Sequence, residues 1–121
     1  MTSEELLAQA DAAAKNAYAP YSNYLVGAAA LARDGRVFAG ANVENAAYPL
    51  GVCAEKTALT RAVTDGCRPG DLVAIAITAS PCGGCRQWLS ELGLDRVVYA
   101  RADGEVVVAA PAELLPDTFE L

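Results

Sequence analysis

The sequence predicts a layered α/β domain, a five-stranded sheet with helices on both of its faces, and three observations carry that prediction. Helix-like and strand-like segments follow one another in the order αββαβαββ. The run LVAIAITA, residues 72–79, is continuously apolar and rich in β-branched residues, as a strand covered on both sides requires. The Asp34-Gly35 pair stands between two apolar stretches as a hairpin signal.

Each element has a local reason. TSEELLAQADAAAKNAY opens with Thr2 three residues before Glu5, a capping-box pattern, and its good helix formers extend the first helix to about Tyr18, with Pro20 as the breaker. VGAAALARDGRVFAGANV then reads as two strands around the Asp34-Gly35 turn, the second ending near Asn42. After a loop containing Asn45, Pro49 and Gly51, CAEKTALTRAVTDG has helical spacing at Ala54, Ala58, Leu59 and Ala62, and Gly66 closes it. The buried strand LVAIAITA follows, then CGGCRQWLSELG as a third helix with Cys82 and Cys85 on its first turn. RVVYA and EVVVAA add two strands, and AELLPDTFEL ends the chain with a short helical turn after Pro111.

The 121 residues fit one compact domain, 1–121, with a core of its own. An apolar fraction of 54% at this size leaves apolar surface for a partner copy, so self-association is expected. No apolar run approaches the roughly 20 residues of a membrane span, and the N-terminus is acidic where a signal peptide would be basic. The expectation is a soluble, cytoplasmic protein. A formal charge of −6 lacks the basic footprint of nucleic-acid polymer binding and favours a small substrate or a protein partner.

The chain has four cysteines and no histidine. Without a secretory signal, that usage points to metal binding or catalysis ahead of a disulfide framework. The CxxC of SPCGGCRQ, Cys82 and Cys85, serves redox sites, zinc knots and plain helix starts about equally well when read alone. Cys53 changes the balance, because it is followed two residues on by Glu55 in the triplet CAE. A ligand-x-Glu joined to Pro-Cys-x-x-Cys is the signature of zinc deaminases, with three protein ligands and a glutamate that stays off the metal.

Zn²⁺ prefers four tetrahedral ligands, so three thiolates leave one position for water, which is the arrangement of a catalytic site. Cys67 could close the site only from the far end of the second helix, about 21 Å along its axis at 1.5 Å per residue, and reads as a free loop thiol. Three thiolates on one dication carry net negative charge. Two helix N-termini supply partial positive charge against it, and Lys56 and Arg86 are candidates to add more, although Lys56 reads equally well as a solvated helix residue. Glu55 alone would read as a first-turn acid complementing the helix dipole; beside a metal ligand, in a dry pocket, it is a proton carrier.

These blocks together resemble the small, homo-oligomeric cytidine deaminases across nearly the whole chain. AYAPYSNYLVGAA, NVENAAYPLGVCAEKTAL, SPCGGCRQWL and ELLPDTF stand in that family's order. The resemblance implies a three-layer α/β/α sandwich with a mixed sheet, a homotetramer or else a dimer, and one Zn²⁺ per chain on Cys53, Cys82 and Cys85 with Glu55 as proton shuttle. It further implies that Asn42 and Glu44 bond the ribose hydroxyls and that Tyr24 stacks on the pyrimidine, where the family often has Phe. Ala54 would meet the base through its backbone, and Tyr48 and Phe119 would reach a neighbouring subunit's site. Two departures stand out: Lys56 replaces the usual Arg after the glutamate, and the segment before Pro81 is shorter than is common.

The activity so implied is hydrolytic deamination of cytidine or 2′-deoxycytidine to uridine or deoxyuridine and ammonia. The rivals are the same chemistry on a related amino-pyrimidine nucleoside such as a nucleoside antibiotic, polymer editing, which the acidic charge disfavours, a structural zinc module and a thiol redox protein.

Overall fold

A computed structural model describes residues 1–121. Its elements are α1 (Ser3–Ala14), β1 (Gly27–Ala32), β2 (Val37–Ala41), α2 (Ala54–Thr64), β3 (Leu72–Ile77), α3 (Gly83–Leu92), β4 (Arg96–Ala100), β5 (Val106–Ala109) and α4 (Pro111–Leu114), with a single 3₁₀ turn over Tyr48–Leu50. The strands form one sheet in the order β2-β1-β3-β4-β5. Only β3 and β4 run parallel, joined by a crossover through α3, so the sheet is mixed.

Alternation along the strands divides the core in two. Ala29, Ala74, Ala76 and Val98 meet Leu6 and Ala10 of α1 on one face. Ala28, Ala30, Phe38, Ile75, Ile77 and Val97 meet Ala58, Leu59 and Ala62 of α2 and Leu89 and Leu92 of α3 on the other. The result is the expected three layers. Small residues let the helices come close. A Cβ on Gly27 would stand 1.9 Å from the Ala10 carbonyl oxygen of α1, and one on Gly40 would stand 2.4 Å from the Ala58 nitrogen of α2. Glycine at these two strand positions therefore sets how tightly a helix docks on each face.

Three expectations are corrected. Thr2 caps α1 as predicted, its Oγ1 accepting from the Glu5 N–H at 3.1 Å, but the helix stops at Ala14 and not near Tyr18. Tyr18 is taken by a tertiary pairing: its N–H donates to the Asn42 carbonyl at 3.0 Å and its carbonyl accepts from the Glu44 N–H at 2.8 Å. The strand LVAIAITA ends at Ile77, because Thr78 turns to bond Gly27 through both its backbone N–H and its hydroxyl. β5 is not a buried strand. Val106 and Val108 are exposed, since on that face α1 lies chiefly over β1, β2 and β3, while Val107 packs against the core on the other face.

The segment leading into α2 is held by a short ladder that the sequence did not announce. Val43 pairs in parallel with Tyr18 and antiparallel with Val52, so residue 52 is anchored immediately before Cys53.

Candidate metal centre

Cys53 caps the N-terminus of α2 and Cys82 caps that of α3, both in extended backbone, while Cys85 lies on the first turn of α3. The first helical bonds follow at once, Thr57 N–H to the Cys53 carbonyl and Arg86 N–H to the Cys82 carbonyl. Two helix starts, each with unpaired N–H groups and the positive end of its dipole, thus converge on one point. The sulfurs of Cys53, Cys82 and Cys85 lie within 4.8 Å of one another, with Cys53 Sγ and Cys82 Sγ 3.9 Å apart. A tetrahedral zinc with bonds of about 2.3 Å sets its sulfurs about 3.8 Å apart, so the cluster fits that ion. Cys67 is outside the cluster. It follows the end of α2, is buried in the core, and receives a long contact of 3.7 Å from Arg36 Nη2.

Glu55 is the buried acid of the protein, 3% exposed. Burial, and then the charge of Cys53, pushes its carboxyl above the usual carboxylate range, against hydrogen bonds from its own N–H and from the Cys85 thiol. Without metal the three thiols share protons unequally. Hydrogen bonding from Cys85, aided by Cys82 and by the charge of Lys56, lowers Cys53 to about 6. Cys85 moves the other way, because it donates to Cys53 and is buried beside Glu55. Metal binding removes that asymmetry, since each ligand must then be a thiolate.

A cavity of about 160 Å³ opens above the sulfurs, lined by Tyr24, Val26, Asn42, Cys53, Ala54, Glu55, Ala79, Ser80 and Cys82. Five groups read from the sequence as site residues therefore share it with Cys53, while Cys85 sits fully buried beneath. Glu44 does not line the cavity; its carboxylate is bonded to the turn at Tyr21 and Ser22. Tyr48 and Phe119 do not line the cavity and are 67% and 69% exposed. Phe119 lies instead on a larger groove of about 570 Å³ with Gln87, Ser90, Glu91, Glu120 and Leu121. That groove contains no cysteine and no other group of the metal corner, so its size does not make it the reacting site.

Lys56 lies beside the cluster, close enough for its charge to favour the Cys53 thiolate. Arg86 corrects its expectation. Its Nε donates to the Pro81 carbonyl at 2.9 Å and its Nη1 to the Leu114 carbonyl at 3.0 Å, so the guanidinium is committed to backbone carbonyls and ties the Cys82 loop to the end of α4. Val26, Ala79, Ser80 and Ser22 were missed by sequence reasoning. Ser80 and Ser22 lie inside the blocks SPCGGCRQ and APYSNY, where no spacing or pairing distinguishes them.

A mixed sheet that brings three thiols and a buried carboxylate together at two helix starts, with a cavity over them, defines a zinc-dependent enzyme of the ligand-x-Glu and Pro-Cys-x-x-Cys class. Residues 1–101 match the family model of the cytidine and deoxycytidylate deaminase zinc-binding region, and the chain belongs to that family. A protein named cytidine deaminase from Halalkalibacterium halodurans is 45% identical, the match covering 98% of this chain and 95% of that one. The crystal structure of cytidine deaminase from Burkholderia pseudomallei aligns with a TM-score of 0.92 at 48% identity, over 98% of this chain and 100% of the other. That of cytidine deaminase from Mycobacterium tuberculosis aligns with a TM-score of 0.85 at 38% identity, over 100% and 99%.

Proposed function

We propose that the chain hydrolyses the exocyclic C4–N bond of cytidine and 2′-deoxycytidine, consuming water and releasing ammonia and uridine or deoxyuridine. The observation that supports it is the buried Glu55 beside three convergent sulfurs, on the wall of a cavity whose other walls carry Tyr24 and Asn42. Cys53, Cys82 and Cys85 hold one zinc per chain, which when bound supplies Lewis-acid activation of the attacking water. Glu55 takes the proton from that water, gives it to ring N3, and then carries a proton to the departing amine. A carboxyl raised by burial suits this double duty, because it holds a proton more readily than an ordinary carboxylate and can still return it.

Tyr24 stacks on the pyrimidine, Ala54 meets the base through its backbone, and Asn42 and Glu44 bond the sugar hydroxyls. The structural zinc module loses ground, because Cys67 is one helix length away and no fourth thiol joins the cluster.

The unit is a single catalytic domain over residues 1–121 and works in the cytoplasm as a homo-oligomer, a tetramer above a dimer. No helix is long and apolar enough to cross a membrane. The single-chain cavity of about 160 Å³ falls short of the roughly 300 Å³ that begins the usual range for small-molecule sites. Exposed Tyr48, Leu50 and Phe119 are apolar surface that a neighbouring copy would cover, and Tyr48 and Phe119 reach toward that copy's site.

The test is direct. Purified protein should carry about one zinc per chain and convert cytidine to uridine, and Glu55→Gln should keep the metal while kcat falls by about 10²–10⁴. A zinc-loaded wild type that deaminates no nucleoside would remove the proposal, and a fully active Glu55→Gln would remove Glu55 from it.

A further inference from the structure

The two side chains assigned to the sugar are already engaged with one turn of the chain. Glu44 Oε1 accepts from the Tyr21 and Ser22 N–H groups at 3.0 and 3.1 Å, and Glu44 Oε2 accepts from the Ser22 hydroxyl. Asn42 Oδ1 accepts from the Val26 N–H at 2.9 Å, and Asn42 Nδ2 donates to the Tyr24 carbonyl at 2.9 Å. Between them, Ser22 Oγ accepts from the Tyr24 N–H at 3.0 Å.

The direction of this chain of bonds is forced. A serine hydroxyl has one hydrogen, and an ionised carboxylate can only accept, so the hydrogen points to Glu44 and a lone pair is left for Tyr24. Glu44 is held ionised, its carboxyl kept below the ordinary range chiefly by the Ser22 hydroxyl. The backbone of Tyr24 is thereby gripped on both sides, its N–H through Ser22 to Glu44 and its carbonyl by Asn42. The turn passes through Asn23 at φ 58, a left-handed conformation that asparagine tolerates and that persists where the surroundings enforce it. Asn23 N–H closes the turn on the Ala19 carbonyl at 3.0 Å.

The bonding capacity left over is complementary to a pair of hydroxyls. Of about four acceptor positions on a carboxylate, three are filled, and one of the two hydrogens on Asn42 Nδ2 is free. One acceptor on Glu44 and one donor on Asn42 remain.

We propose that Ser22 is a positioning residue for sugar recognition: its hydroxyl, oriented by the Tyr24 N–H, decides which lone pair of Glu44 is offered to a sugar hydroxyl. The inference rests on the nucleoside reading above. Ser22 is exposed and outside the core, so its replacement leaves the packing of the domain intact.

The experiment compares cytidine with 2′,3′-dideoxycytidine, which lacks both sugar hydroxyls that Glu44 and Asn42 could meet. Ser22→Ala should raise the KM for cytidine about tenfold, the scale of one hydrogen bond to a charged group, with kcat within about twofold. The same variant should raise the KM for 2′,3′-dideoxycytidine by less than about threefold, and Ser22→Thr, which keeps the hydroxyl, should restore cytidine. On a Glu44→Gln background, Ser22→Ala should add little, because the coupling runs through that carboxylate. Equal losses on the two nucleosides, additivity with Glu44→Gln, or no loss at all would overturn the role of Ser22. Absence of cytidine turnover by the wild type would instead overturn the nucleoside reading and this inference with it.

Discussion

The cavity has two corners built by opposite means. At the metal corner every group sits on the first turn of a regular helix or caps it, and α2 is held in turn by a sheet whose Gly40 admits it closely. At the corner proposed for the sugar, Tyr24, Asn42 and Glu44 belong to irregular chain near the surface, placed by side-chain bonds to the backbone of one turn. The first corner inherits its geometry from packing, so a change there disturbs metal or fold. The second is adjustable, since its bonds can be exchanged one at a time without opening the core.

The comparison breaks most visibly through the two buried cysteines. Cys85→Ser should remove zinc, with a loss beyond the about 10–100-fold that a supporting group costs, whereas Cys67→Ser should keep full metal content and lose about 1 kcal/mol of stability at most. Metal analysis and thermal melting of both variants check this. Zinc loss in Cys67→Ser would contradict the three-sulfur set.

A middle-sized effect is expected at Arg86, which belongs to neither corner but ties the Cys82 loop to α4. Arg86→Gln should speed release of zinc to a chelator by about tenfold and destabilise the fold by about 1–3 kcal/mol. Unchanged release would show that the helices hold the metal corner without the guanidinium staple.

The smallest expected change is a flat line. The Glu44 carboxyl lies below its ordinary value of 4.5, so its ionised form is favoured by folding; that contribution is present above 4.5 and is lost as pH falls through the lower folded value. The KM for cytidine should therefore stay level from pH 7 down to about 5. A KM that climbs with a midpoint at or above 4.5 in the wild type but not in Glu44→Gln would mean that the turn at Ser22 does not hold the carboxylate in solution.

Much of the metal corner was legible because its information is local. Cys53, Glu55, Cys82 and Cys85 are read from helix starts and short spacings, and folding only had to bring two such starts together. Element order and type were legible for the same reason, through capping at Thr2, the Asp34-Gly35 turn and the apolar run of β3. Arg86 was misread because a side chain next to a ligand in sequence has no fixed direction until α4 supplies the Leu114 carbonyl. The early end of α1 was hidden similarly, since helix propensity continues past Ala14 and only pairing with Asn42 and Glu44 removes Tyr18 from the helix.

What the chain determined on its own were the candidate metal ligands, the acid beside them and the alternation of elements, because these follow from chemistry and periodicity within a few residues. Tertiary structure alone decided that β5 keeps an exposed face, that Cys67 is sealed in the core and not free on a loop, and that Ser22 links Glu44 to Tyr24. Each of these depends on contacts between segments far apart in the chain, and local propensity carries no information about where distant segments meet.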